Sequence, residues 1–167
     1  MELLARGFKT LPRRVAVIAE NFSKARFREQ GWHDKTLERW PKRKGNTEPS
    51  RGTLIKSGAL ARSIKGSSKG YTITISSSLP YAQAHNEGLD KTVSETVATH
   101  TRKAHTRKAH TRKGRKVAAV HIEAHKVSSF SRKRHISLPK RQFIGSSDKL
   151  FRSIDTTVHT IINNALK

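Results

Sequence analysis

Three features of this 167-residue sequence predict an α+β fold. Apolar residues recur at helical spacing near the start, at Leu11, Val15, Ile18 and Phe22, and again near the end, from Leu150 to Leu166. Between these stretches, Tyr71, Ile73 and Ile75 alternate with Thr72, Thr74 and Ser76 at the two-residue period of a half-buried strand. The expected architecture is a single domain over residues 1–167. It has an antiparallel sheet framed by a long N-terminal and a long C-terminal helix, and a basic loop insertion at about 89–116.

The first helix carries Pro12 in its first turn, where a missing N–H costs nothing, and Gly31 ends it. Trp32 and Trp40 flank a polar stretch and are expected to cap one end of the core, each needing a partner for its indole N–H. Pro41 to Gly52 is a loop by composition. Ser57 is the expected N-cap of a second, short helix that turns Leu60, Ala61 and Ile64 inward. A turn over Gly66 to Gly70 leads into the Tyr71 strand. Pro80 stops that strand, and Tyr81 to Glu87 makes one or two helical turns ending at Gly88. A further strand is read at 117–122. The final helix is capped by Ser146 or Ser147, has Asp148 in its first turn, and carries Leu150, Phe151, Ile154, Val158, Ile161, Ile162 and Leu166 on its apolar stripe.

Charge sets the expected partners. Thirty-five Lys and Arg against 12 Asp and Glu give a formal net charge of +23. A compact chain so charged repels itself and calls for a polyanionic neighbour or heavy counterion screening, with nucleic acid ahead of acidic protein and of anionic membrane as the neighbour. There are no cysteines, which removes disulfides, thiol nucleophiles and Cys-ligated metals and suits a reducing cytosol. The first residues show no secretory signal pattern, and no stretch approaches the roughly 18 apolar residues of a membrane-spanning helix.

Residues 89–116 differ in kind. The blocks His100-Thr101-Arg102-Lys103-Ala104, His105-Thr106-Arg107-Lys108-Ala109 and His110-Thr111-Arg112-Lys113-Gly114 follow one another, and no acidic residue lies between Glu95 and Glu123. A five-residue repeat matches neither helix nor strand period and gathers no apolar face, so a mobile loop is expected unless something anionic orders it. Its cations Arg102, Lys103, Arg107, Lys108, Arg112, Lys113, Arg115 and Lys116 are the candidate contacts to DNA or to an acidic partner. No aromatic is interleaved to stack single-stranded bases, and no recognition helix or zinc finger is visible. His100, His105 and His110 read as solvated or phosphate-facing groups, because neighbouring Arg and Lys oppose a divalent cation. No phosphate-binding glycine loop, metalloprotease motif or nucleophile elbow occurs. Neither a catalytic residue nor a cofactor is expected.

Three short stretches, in order, carry a family resemblance. Leu54-Ile55-Lys56-Ser57-Gly58-Ala59-Leu60-Ala61-Arg62-Ser63-Ile64 is similar to a pattern Leu-x-x-(Ser or Thr)-Gly-x-Leu-x-x-Ser-Ile. Tyr81-Ala82-Gln83-Ala84-His85-Asn86-Glu87-Gly88 is similar to Tyr-Ala-x-x-His-x-x-Gly. Leu138-Pro139-Lys140-Arg141-Gln142-Phe143-Ile144-Gly145 is similar to Pro-x-Arg-x-Phe-(Leu or Ile)-Gly. Together with Phe27 and Trp32 upstream, they resemble the virion morphogenesis, or tail-completion, proteins of tailed bacteriophages, the group that includes the Mu-type and P2-type proteins. The likeness spans most of the chain apart from its first residues and the 89–116 insert, whose five-residue repeats depart from the family.

Physical roles can be read for the motif residues independently. Gly58 admits the chain to a closely packed helix that Leu60 and Ile64 bury. Tyr81 and His85, four apart, share a helix face and can meet. Arg141, held beside Pro139, is suited to bridge a carboxylate such as Glu87, or a neighbour's backbone.

The resemblance implies a non-enzymatic subunit, assembled in the bacterial cytoplasm, that forms a homo-oligomeric ring, expected to be a hexamer. In the virion it would cap the tail or stand in the neck, joining tail-tube and connector proteins to the DNA-filled head. Genomic DNA in the channel would be a non-specific partner, and no membrane is involved. Ser57, Gly58, Leu60, Ser63, Ile64, Tyr81, His85, Gly88, Pro139, Arg141 and Phe143 would then pack the subunit or meet its neighbours. The competing reading is a free basic nucleic-acid-binding protein of histone-like or ribosomal type. It accounts for the charge and leaves the three motifs unexplained. A hydrolase is a distant third.

Overall fold

The structure, a computed structural model, describes residues 2–43 and 51–165. Its class is the expected one, mixed α+β with long helices at both ends and antiparallel strands between them. The chain divides into two compact units, Met1–Leu89 with Ser137–Lys167, and Asp90–Ile136.

In the first unit, helix α1 (Glu2–Glu29) starts earlier than its apolar spacing suggests, so Pro12 lies inside it rather than in its first turn. The buried face is also rotated from the expected stripe. Ala16, Ala19, Phe22, Ser23, Arg26 and Phe27 are buried, whereas Leu11, Val15 and Ile18 are only partly so. Arg26 is tolerated there because its guanidinium lies over the Phe22 ring (4.2 Å) and donates to the Phe22 carbonyl (3.1 Å) and to Glu29 (3.0 Å).

After α1 come the short paired strands β1 (Gly31–His33) and β2 (Leu37–Arg39). Helix α2 (Ala59–Ser63) begins one residue later than expected. Gly58, in a left-handed conformation (φ 71°), holds the cap position, and Ser57 only accepts a long bond from the Ala59 N–H (3.4 Å). Ile64 is fully buried, but it opens strand β3 (Ile64–Lys69) instead of ending a helix. The expected 66–70 turn is therefore mostly strand, and the chain reverses at Gly70 and Tyr71 into β4 (Thr72–Ser77). Gly66 shows why strand wins. A Cβ there would sit 2.3 Å from the Ala16 carbonyl oxygen, so the missing side chain lets β3 lie directly on α1. Glu20 closes that contact by accepting from the Gly66 N–H (2.8 Å) and from Lys24 (2.6 Å), bonds that hold its carboxylate below the ordinary carboxylate range. Ile73 and Ile75 face inward, as the alternation requires, while Tyr71 is outside the strand and 81% exposed.

Helix α3 (Ala82–Glu87) ends at Gly88, and helix α4 (Asp148–Ala165) closes the unit. Ser147 caps α4, its hydroxyl accepting from the Leu150 N–H (3.3 Å) and donating to the His33 carbonyl (2.7 Å). Leu150 and Ile161 are buried against α1, whereas Phe151, placed on the stripe from sequence, is 51% exposed. Of the expectations above, residues 44–50 of the Pro41–Gly52 loop and Leu166 lie outside the described residues.

The second unit corrects the expected basic loop. Residues 89–138 fold as a long hairpin of paired segments. Strand β5 (Leu89–Val97) pairs with β12 (Phe130–Leu138), β6 (His100–Arg102) with β11 (His125–Val127), β7 (His105–Arg107) with β10 (Val120–Ile122), and β8 (His110–Arg112) with β9 (Arg115–Val117). The last pair is closed by Lys113 and Gly114, both at positive φ (50° and 78°), as a two-residue hairpin turn requires.

A five-residue repeat fits because each three-residue ladder is followed by two residues outside it, and these breaks lie opposite one another. His110 pairs with Val117, His105 with Ile122 and His100 with Val127, so the register never slips. An uninterrupted strand would have sent successive histidines to opposite faces.

Candidate nucleic-acid ribbon and motif cluster

The three motifs converge in the first unit. Phe27, Trp40, Leu60, Ile64, Ala82 and Phe143 form one buried cluster, with residues from each motif. Phe27 stacks edge-on to Trp40 (5.4 Å) and beside Phe143 (5.2 Å), and the Trp40 indole N–H donates to the Gln142 carbonyl (2.9 Å).

Hydrogen bonds then fasten the second motif to the third. The His85 carbonyl accepts from the Arg141 N–H (2.8 Å). Asn86 accepts at Oδ1 from the Phe143 and Ile144 N–H groups (2.9 Å each) and donates from Nδ2 to the Ile144 carbonyl (3.1 Å). Gly88, at φ 84°, leaves room for the Leu138 carbonyl and the Lys140 amide, each a little over 3 Å from where a Cβ would stand. In the first motif, the Ser63 hydroxyl meets the Leu60 carbonyl and the Ser77 hydroxyl (2.7 Å each), tying α2 to β4.

Tyr81 and His85 do meet, edge to face at 6.0 Å. Arg141 does not bridge to Glu87. Arg141 is 6% exposed, and its guanidinium donates to the carbonyls of Pro41 (3.0 Å) and Lys42 (3.3 Å), while Glu87 accepts from Gln83. Pro139 is exposed beside it.

Ser57, Leu60, Tyr81, His85 and Arg141 line one cleft of about 370 Å³ together with Lys56, Arg43 and Arg51, and no carboxylate lines it among the described residues. Burial first, and the Arg141 charge second, lower the His85 pKa from its ordinary value. Arg141 is itself lowered by burial and then by Arg43. The cleft thus combines apolar walls with cationic side chains and, among the described residues, offers no paired acid and base.

The second unit presents a different surface. Between Asp90 and Ile136 there are 13 Lys and Arg, three Asp and Glu, and six of the nine histidines. Arg102, Arg107, Arg112, Arg115 and Lys116 sit on ladder segments, Lys103 and Lys108 in the breaks, and Lys113 in the turn; all eight are exposed. None of the eight is in an ion pair among the described residues. Glu95 is taken by Arg132 (2.5 Å) and Arg134 (3.7 Å), and Glu123 by His121 (3.3 Å).

The histidines have a structural task that the sequence did not disclose. His100, His105 and His110 each turn Nδ1 toward the carbonyl two residues back, that of Ala98, Lys103 and Lys108, at 3.0–3.3 Å. His125 does the same with Glu123 (3.0 Å). As Nδ1–H donors they satisfy the carbonyl that opens the break preceding each of these four histidines.

Two signals in the sequence could have revealed the hairpin. Val117, Ile122 and Val127 repeat the five-residue spacing on the returning strand, and Lys113-Gly114 stands at its midpoint. Asn86, which binds both motifs, had no signal beyond its place inside one of them.

No family model, no curated protein and no solved structure matches this chain. Among the described residues, no helix is long and apolar enough to cross a membrane, and no group of three His, Cys, Asp or Glu is arranged to hold a metal.

Proposed function

We propose that this chain is a structural subunit of a tailed-phage virion, a tail-completion or neck protein that forms a ring and joins the tail to the DNA-filled head. The observation that carries the reading is the shared core of its three motifs. Leu60 and Ile64, Ala82, and Phe143, drawn from segments up to 83 residues apart, bury one another. A free basic nucleic-acid-binding protein would need the charge and not this conjunction.

In the proposed ring, one heterologous interface repeats around an axis, so each subunit's basic ribbon is multiplied and weak contacts gain avidity. The subunit would act by shape and charge, without catalysis, cofactor or membrane, after assembly in the bacterial cytoplasm.

Light scattering on the purified chain in high salt, where nucleic acid is stripped away, tests the ring. The expected result is a defined closed oligomer, about 113 kDa for six copies of the 18.8 kDa chain. A monomer or dimer over the whole concentration range supports the free-binder reading instead.

A further inference from the structure

We infer that the hairpin ribbon binds duplex DNA, lying in the major groove and gripping phosphates without reading sequence. This deepens the function proposed above, on which it rests for treating the ribbon as a partner-facing part, and it names the partner.

Four observations favour a duplex. First, between Ala98 and Arg134 no residue is buried, and only His105, Val117, Ile122 and Val127 are even half-buried. A two-stranded ribbon with neither face covered is marginal in water and gains stability from whatever lies along it. Second, strands about 4.8 Å apart form a ribbon narrow enough for the roughly 12 Å major groove, which admits such a ribbon.

Third, the cations recur at a fixed pitch, Arg-Lys pairs every five residues at 102–103, 107–108 and 112–113. Each repeat advances at most about 16 Å, so two repeats span roughly one turn of duplex. A regular array of positive charge matches a polymer of uniform charge better than the finite acidic patch of a protein. On the other face of each ladder, Thr101, Thr106 and Thr111 stand opposite Lys126, His121 and Lys116, adding hydroxyl donors, two lysines and an imidazole. Fourth, Asp90–Ile136 contains no Asn or Gln to read adenine, and its single aromatic, Phe130, provides no stacking series for single strands. The donors that remain, Arg, Lys, His and Thr, suit phosphate oxygens.

The test uses the full chain and a 30-base-pair duplex of mixed sequence, with affinity measured by fluorescence anisotropy across salt concentrations. One variant replaces Arg102, Lys103, Arg107, Lys108, Arg112 and Lys113 with Gln. A matched variant replaces six exposed cations of the other unit, Lys9, Arg13, Arg14, Arg28, Lys42 and Lys69, with Gln. The ribbon variant should lose about 100-fold in affinity at 100 mM salt and about 5 from the slope of log K against log salt, and the matched variant far less. Equal losses in both variants would overturn the inference. So would a 30-mer oligo-dT binding as tightly as the duplex, or polyglutamate competing as well per charge. A duplex whose major groove is filled by glucosylated cytosines should bind several-fold more weakly, and unchanged binding would exclude the groove. If DNA binding fails while the closed oligomer forms, this inference alone falls. If binding holds in a chain that stays monomeric, the ring reading falls instead.

Discussion

The two units of this chain are stabilised in opposite ways. The first places each core residue once. Phe27, Trp40, Ile64 and Phe143 each fill a particular space, and Asn86 spends its side-chain amide on one neighbouring segment. The second repeats one small solution, a three-residue ladder and a two-residue break, four of these breaks capped by a histidine, with almost nothing buried. Unique packing makes a shape that can be joined to others in one way. Repetition makes a surface of uniform chemistry that can grip a uniform polymer anywhere along its length.

The contrast predicts very different sensitivities. The largest effect is expected at Asn86. Asn86→Ala leaves the Phe143 and Ile144 N–H groups and the Ile144 carbonyl without their partner, and should cost about 3 kcal/mol in urea denaturation. A loss under about 0.5 kcal/mol would mean that the second and third motifs are held by packing alone.

A smaller effect is expected from pH at His85. Its imidazole is held below its ordinary value of 6.5 by burial and by Arg141. The unfolded chain therefore takes up this proton first. The contribution of neutral His85 is whole above about pH 6.5 and is lost as the pH falls from there toward the folded value. Stability measured from pH 7.5 to 5 should decline less in His85→Gln than in the native chain, and parallel curves would contradict the assignment.

The smallest effect is expected in the ribbon. Replacing residues 100–127 by Asn-Gly, so that Thr99 and Ser128 are joined by a tight turn, should leave the denaturation midpoint of the first unit nearly unchanged, because the removed residues bury no side chain. A large drop would show that the two units depend on each other for folding.

The same contrast decides what the sequence discloses. Where one apolar period governs, the reading succeeds. Helix α4 with Asp148 in its first turn, α3 ending at Gly88, and the Ile73–Ile75 alternation all follow from spacing and capping. Tertiary contacts displace what spacing alone suggests. The face of α1 is set by β3 lying against Ala16 through Gly66, and Arg141 takes the Pro41 and Lys42 carbonyls while Glu87 pairs with Gln83.

The hairpin was hidden for another reason. A period of five is foreign to both helix and strand, and it becomes legible only when the outgoing His100, His105 and His110 are set against the returning Val127, Ile122 and Val117. The motif residues are legible as a set, yet Asn86 emerges only from the hydrogen bonds it makes.

The central claim, a ring subunit at the joint between tail and head, is met most directly by electron cryomicroscopy of the tailed particles made from the genome that encodes this chain. The account predicts a closed ring of copies at the head-proximal end of the tail or in the neck, with each ribbon toward the DNA path. Purified, infectious particles that contain no copy of the chain would contradict it.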